Sequence, residues 1–170
     1  MANAITTVRL ALVLYLTSLI DDPASAWTVV VVATIAALSD LADGWIARRT
    51  GATPFGARFD MEVDALLIVV LSVMVWQWGK AGAWVLLSGA MRYLFVAAGL
   101  FAPRLQAPLF PSLRRKTVCV VQIVALIVAL GPIVPAVLSA PLAAIGLALL
   151  GYSFAMDTWW LLRTPGDVRS

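Results

Sequence analysis

The sequence predicts an all-α integral membrane bundle of six transmembrane helices, with the N- and C-termini cytoplasmic and residues 1–170 forming a single domain. Three observations carry this. Hydrophobic residues make up 62% of the chain and charged ones 12%, and the mean hydropathy is +0.97, whereas a soluble domain is about 25% charged. The apolar residues fall in runs close to the roughly 20 residues that a spanning helix needs, separated by short turns. The basic residues also collect on alternate turns, as the positive-inside rule requires of a multi-pass chain.

The spans are expected at about 5–20, 27–46, 58–78, 83–101, 116–134 and 140–161. The first starts among Arg9 and the apolar run Leu10 to Ile20 and stops at Asp21-Asp22-Pro23. The second runs from Trp27 into a stretch rich in acids and arginines. The third leaves that stretch and ends at Gly79-Lys80, and the fourth carries Arg92 in its middle. The connection from Pro103 to Lys116 has three prolines and four basic residues, so it reads as a loop. The fifth span contains VCVVQIVALIVAL, and GPIVPAVLSAP separates it from the sixth. With a cytoplasmic N-terminus, Arg9, Arg48, Arg49, Arg58, Arg104, Arg114, Arg115, Lys116, Arg163 and Arg169 share one side. Only Lys80 lies on the other. Trp27, Trp76, Trp78 and Trp84 then mark the outer interface, and Trp45, Trp159 and Trp160 the inner one.

The segment DLADGWIARRTGATPFGARFDMEVD, from Asp40 to Asp64, breaks the apolar pattern. A charge at the centre of a bilayer costs at least roughly 2.5–3.5 kcal/mol, so acids there are candidates for function. Asp40, Asp43, Gly44 and Ala47 share one helical face, and Gly56, Asp60 and Asp64 recur every four residues on another. Two helix ends joined by a short basic loop would aim the four aspartates at one point, an arrangement expected to require bound cations. The chain has no histidine and one cysteine, so zinc, haem and iron–sulfur sites lack their ligands. Oxygen-rich clusters suit Mg2+ or Mn2+, and two such ions would form a clamp for a pyrophosphate. Cys119, inside an apolar run, is read as packing.

This spacing resembles the signature of the CDP-alcohol phosphotransferase (CDP-alcohol phosphatidyltransferase) family, D-x2-D-G-x2-A-R, about eight residues, then G-x3-D-x3-D. Asp40, Asp43, Gly44, Ala47, Arg48, Gly56, Asp60 and Asp64 fill all eight fixed positions. One departure is that seven residues, Arg49 to Phe55, stand between Arg48 and Gly56. The resemblance implies transfer of a phosphatidyl group from a CDP-linked lipid such as CDP-diacylglycerol to a small alcohol, with release of CMP. It implies that Asp40, Asp43, Asp60 and Asp64 hold two Mg2+ or Mn2+ ions and that Asp64 is also the general base. Asn3, Thr6, Gly44, Ala47, Arg48 and Gly56 become nucleotide-binding candidates, the glycines because a nucleotide can approach their backbone closely. Arg48 reads equally as an interface anchor. Membrane lipid and a second copy of the chain in a homodimer are the implied partners, and no nucleic acid is expected. The implied location is the cell membrane, a bacterial inner or plasma membrane, with the site facing the cytoplasm.

Arg92, mid-span, is expected to meet an aspartate of the cluster or an anionic acceptor. Arg114, Arg115 and Lys116 read either as topology signals or as a phosphate site. With Arg92 they favour a phosphorylated acceptor such as glycerol 3-phosphate or inositol phosphate. Glu62 is expected to point away from the cluster, towards headgroups or Arg58, and to matter little. Gln122 is assigned to helix–helix hydrogen bonding, and Asp157 receives no role. Gly89, Ala90, Ala97, Ala98 and Gly99 could pack helices within one subunit or between two. Arg9, Leu10 to Ile20 and Ala24-Ser25-Ala26 also mimic a secretory signal, whose cleavage would leave five spans. Asn3-x-x-Thr6-x-x-Arg9 resembles the opening helix of many family members and favours retention. A cation transporter or channel with an acidic cytoplasmic mouth is the alternative reading, but it expects acids at several depths. A purely structural subunit leaves four costly aspartates unexplained.

Overall fold

Runs of Leu, Val, Ala and Ile punctuated by Gly and Pro satisfy their backbone hydrogen bonds internally only as helices when water is excluded. The computed structural model describes residues 2–50, 54–101 and 113–163, and among these it contains helices and no strand. The helices are α1 (Ala2–Thr17), α2 (Ala26–Thr50), α3 (Pro54–Gln77), α4 (Leu86–Phe101), α5 (Leu113–Leu130) and α6 (Ala136–Arg163). Short 3-10 turns at Pro23–Ser25 and Ala83–Val85 lead into α2 and α4.

Among the described residues, six helices in the expected order confirm the all-helical class. Two stretches, Pro23–Asp40 and Ala136–Trp160, are long and apolar enough to cross a membrane. α1 and α4 have 16 residues each, about 24 Å at 1.5 Å per residue, against a hydrocarbon thickness of about 30 Å. α3 has the length, with 24 residues, but Arg58, Asp60, Glu62 and Asp64 crowd its first turns. α2 and α3 also extend into the acidic segment, so only residues 51–53 separate them. The anticipated basic loop is largely helix, and Pro54 opens α3 at the first helical position, where its missing N–H costs nothing. α6 starts four residues earlier than expected. Ser139, buried near its start, donates its hydroxyl to Ala129 O at the end of α5 (2.9 Å).

α3 is the central helix, packing on α1, α4 and α5, while α5 and α6 pair extensively and α2 lies against α1 and α5. Val63, Leu67, Ile68, Leu71, Met74 and Val75 of α3 meet Val13 and Leu16 of α1, Val29, Ala33 and Ala36 of α2, and Leu126 and Leu130 of α5. The outer faces are apolar too, with Val8, Leu14, Leu38, Leu94 and Ile145 each at least half exposed. Gly89 on α4 is closely covered, since a Cβ there would stand 2.7 Å from Val69 Cα. Its small size therefore serves packing inside this subunit.

The turn after α3 anchors the end of the bundle remote from the acids. Gly79 adopts φ +65°, and the amides of Gly79 and Lys80 bond back to Trp76 O and Val75 O, a Schellman ending that favours glycine. Lys80 Nζ donates to Gly131 O (3.2 Å) and Val134 O (2.5 Å), carbonyls just beyond the end of α5. Trp78 Nε1 donates to Ile20 O at 2.8 Å, which ties α3 to the connection between α1 and α2.

Candidate functional site

Helical periodicity assembles the acids. Asp60 and Asp64 are one turn apart on α3, and Asp40 on α2 faces them, with carboxylate oxygens of the three lying within 4.8 Å of one another. Asp40 is 5% exposed. Three carboxylates this close repel strongly, so each needs a positive partner.

That partner is Arg9, which the sequence placed in the charge count and in the opening-helix spacing but not at the acids. Its side chain is fully buried. Nη1 bonds Asp40 Oδ1 at 3.2 Å and also Asp60, Nη2 bonds Asp64, and Nε donates to Ala36 O at 3.2 Å. The expectation that only bound cations could hold the acids together is corrected, because the protein supplies a guanidinium of its own. A signal for this was present, since Thr6, Arg9, Val13 and Leu16 follow the three–four spacing of one helical face, and all four are buried. Lys116 Nζ adds a more distant contact, 3.8 Å from Asp40 Oδ2, from a half-exposed side chain.

Beside the acids lies a cavity of about 370 Å3 between α3, α4, α5 and α6. Asp40, Asp60, Asp64, Arg92 and Lys116 line it together with apolar side chains such as Ile68, Phe95 and Phe154. Cys119 reaches the same cavity as well as the core. Of the two partners expected for Arg92, an aspartate of the cluster is not the one it meets. Its fork turns to Glu62, with Nη2 bonded to Oε1 and Nε 3.4 Å from Oε2. Glu62 leaves the Asp60–Asp64 face as expected, but its partner is a helix α4 cation rather than Arg58 or a headgroup. Two residues of helix rotate it by about 200°, using 3.6 residues per turn, so it projects towards α4. A second recess, about 440 Å3, runs between α2 and α5 from Trp27 to Asp40 and is lined almost wholly by apolar side chains.

The remaining candidates divide by position. Thr6 is buried one turn before Arg9, and Gly56 lies in the first turn of α3. The helices carry Asn3, Asp43, Gly44, Ala47, Arg48, Arg114, Arg115 and Asp157, whose side chains lie outside the described residues. Gln122 does not form the expected interhelical hydrogen bond. Its amide is buried without a partner against Gly146 of α6, where a Cβ would fall on Oε1.

Hard carboxylate oxygens grouped at this distance suit a divalent cation, and Asp40, Asp60 and Asp64 could hold one. Among curated proteins and solved structures no significant match is found. The family model for CDP-alcohol phosphatidyltransferase matches residues 1–159, which include every candidate residue named above. The chain belongs to the CDP-alcohol phosphatidyltransferase family, and with it to the transferases that move a phosphatidyl group from a CDP-alcohol.

Proposed function

We propose that this protein is a multi-pass membrane enzyme that transfers the phosphatidyl group of a CDP-linked lipid, of the CDP-diacylglycerol type, to a small alcohol and releases CMP. The observation that carries the reading is the convergence of Asp40, Asp60 and Asp64, from two helices, beside a cavity large enough for a small alcohol. The apolar recess between α2 and α5 supports a lipid donor. From Trp27 to Asp40 it follows 13 helical rises, about 20 Å, so an acyl chain could lie along it while the phosphates reach the acids.

Asp40, Asp43, Asp60 and Asp64 would hold Mg2+ or Mn2+, two ions in all. When bound, these would neutralise the pyrophosphate and stabilise entering and leaving oxygens. Asp64 accepts the proton of the acceptor hydroxyl as that oxygen forms its bond to the phosphorus carrying diacylglycerol. The bond from that phosphorus to the CMP oxygen breaks, and CMP departs with the electron pair. Asn3, Thr6, Gly44, Ala47, Arg48 and Gly56 bind the nucleotide. Arg92, Arg114, Arg115 and Lys116 receive a phosphorylated acceptor, such as glycerol 3-phosphate or inositol phosphate. The active end faces the cytoplasm of a bacterial plasma membrane, and the protein works as a homodimer.

The test is CMP release from CDP-diacylglycerol by purified protein across a panel of alcohols, with Mg2+ or EDTA, and with Asp64→Asn alongside. Release that needs one acceptor and metal, and that is lost in the variant, supports the assignment. Undiminished release by Asp64→Asn would remove it from the role of base. No release with any acceptor would overturn the proposed donor.

A further inference from the structure

Arg92 stands mid-way along α4 and lines the cavity with Asp60 and Asp64, yet its guanidinium bonds Glu62 instead of the acids. Both halves of its fork are engaged, Nη2 on one carboxylate oxygen and Nε on the other. A planar fork of this kind recognises carboxylate and phosphate through the same parallel N–H groups. Glu62 thus occupies the positions that a phosphate would take. Its side chain is 53% exposed and that of Arg92 is 25% exposed, so neither is sealed within the helix bundle. Exposed ion pairs are weak and exchangeable. By contrast, Lys116 leans towards Asp40 and Arg9 is sealed among the acids.

We propose that Glu62 sets acceptor specificity as an internal competitor for Arg92, a latch that a phosphomonoester group on the acceptor displaces and an uncharged alcohol does not. The inference rests on the reading that Arg92 receives a phosphorylated acceptor. Glu62 touches no reacting atom. It is a positioning residue that holds Arg92 over the cavity until a dianion takes its place. Its location between Asp60 and Asp64 on the same helix couples the latch rigidly to the acids. A phosphate that opens it is held by Arg92 on α4, in the cavity that Asp64 also lines.

The test compares wild type, Glu62→Gln and Arg92→Ala in full-length protein. The readouts are binding of glycerol 3-phosphate and of inorganic phosphate, and the KM and kcat for glycerol 3-phosphate in CMP release. Glu62→Gln keeps the size of the side chain and removes the competing charge. It should bind both phosphate probes about three- to fivefold more tightly and lower the KM for glycerol 3-phosphate to match. Such a change corresponds to the roughly 1 kcal/mol of an exposed pair. The KM for the CDP-lipid should stay in place. A helix staple with no part in recognition would instead leave phosphate binding unchanged or weaken it, and either result in the glutamine variant overturns the latch. If phosphate binding is the same in Arg92→Ala as in wild type, the phosphate site itself is refuted. CMP release with another acceptor would then leave the transferase reading standing.

Discussion

Replacing Arg9 by Met should destabilise the metal-free protein far more than the metal-loaded one. Methionine fills most of the same volume, so the change removes charge and hydrogen bonds rather than packing. At an effective dielectric of about 20, the 3.2 Å contact between Arg9 Nη1 and Asp40 Oδ1 is worth ~5 kcal/mol of attraction. Two unit charges 4.8 Å apart, the outer limit for the three carboxylates, repel by ~3.5 kcal/mol per pair on the same scale. Three pairs give ~10 kcal/mol of repulsion, which Arg9 offsets through its three contacts. Desolvation and relaxation shrink such sums, and breaking a buried pair costs about 3–5 kcal/mol. At roughly 2–4 °C per kcal/mol for a chain of this length, the melting temperature should fall by about 6–20 °C. Intrinsic tryptophan fluorescence, from seven tryptophans, would follow unfolding in detergent with EDTA and with excess Mg2+. The expected result is a large fall in EDTA that Mg2+ mostly restores. An equal fall in both conditions would show that a divalent ion does not substitute for the guanidinium. No fall at all would refute the electrostatic account of the cluster.

Three further outcomes follow from particular contacts. Gly89→Ala should cost about 1–3 kcal/mol, because its Cβ would press on the Val69 backbone at 2.7 Å; an unchanged melting temperature would show that α3 and α4 separate freely. Lys80→Met removes two charged hydrogen bonds to Gly131 O and Val134 O. It should lower stability by about 2–3 kcal/mol, equally with and without Mg2+, since it lies at the end of the bundle remote from the acids. Arg92→Ala should raise the KM of a phosphorylated acceptor about tenfold while leaving that of the CDP-lipid nearly unchanged. Steady-state kinetics with each substrate varied would decide this, and equal effects on both would sink the assignment.

The two ion pairs at the site differ in what each could do. Arg9 is enclosed on every side and bonded to three carboxylates and a carbonyl, so its removal is felt chiefly as stability. Arg92 and Glu62 are partly open, so their separation is felt chiefly as recognition. The same chemistry, a guanidinium on a carboxylate, yields opposite consequences because burial decides how much solvent can compensate.

Local spacing by itself determined the helical class, the order of the six helices and the grouping of Asp40, Asp60 and Asp64. The first two follow from apolar runs of spanning length broken by short polar turns, and the third from helical spacing on either side of one short connection. The family, too, was legible there, because its signature is a set of such spacings. Tertiary structure alone decided which cations meet which acids. Arg9 is 31 residues from Asp40 and 55 from Asp64, and Arg92 is 30 from Glu62. The apolar spacing around Arg9 marks it as enclosed, but not which acids it meets, and nothing beside Arg92 marks Glu62. Those pairings depend on how α1 and α4 are rotated against α3, and the rotation is set by the packing of Val13, Leu16, Gly89 and Val69, not by the charges themselves. Charge attracts at many orientations, whereas close packing allows few, so the core chose the partners.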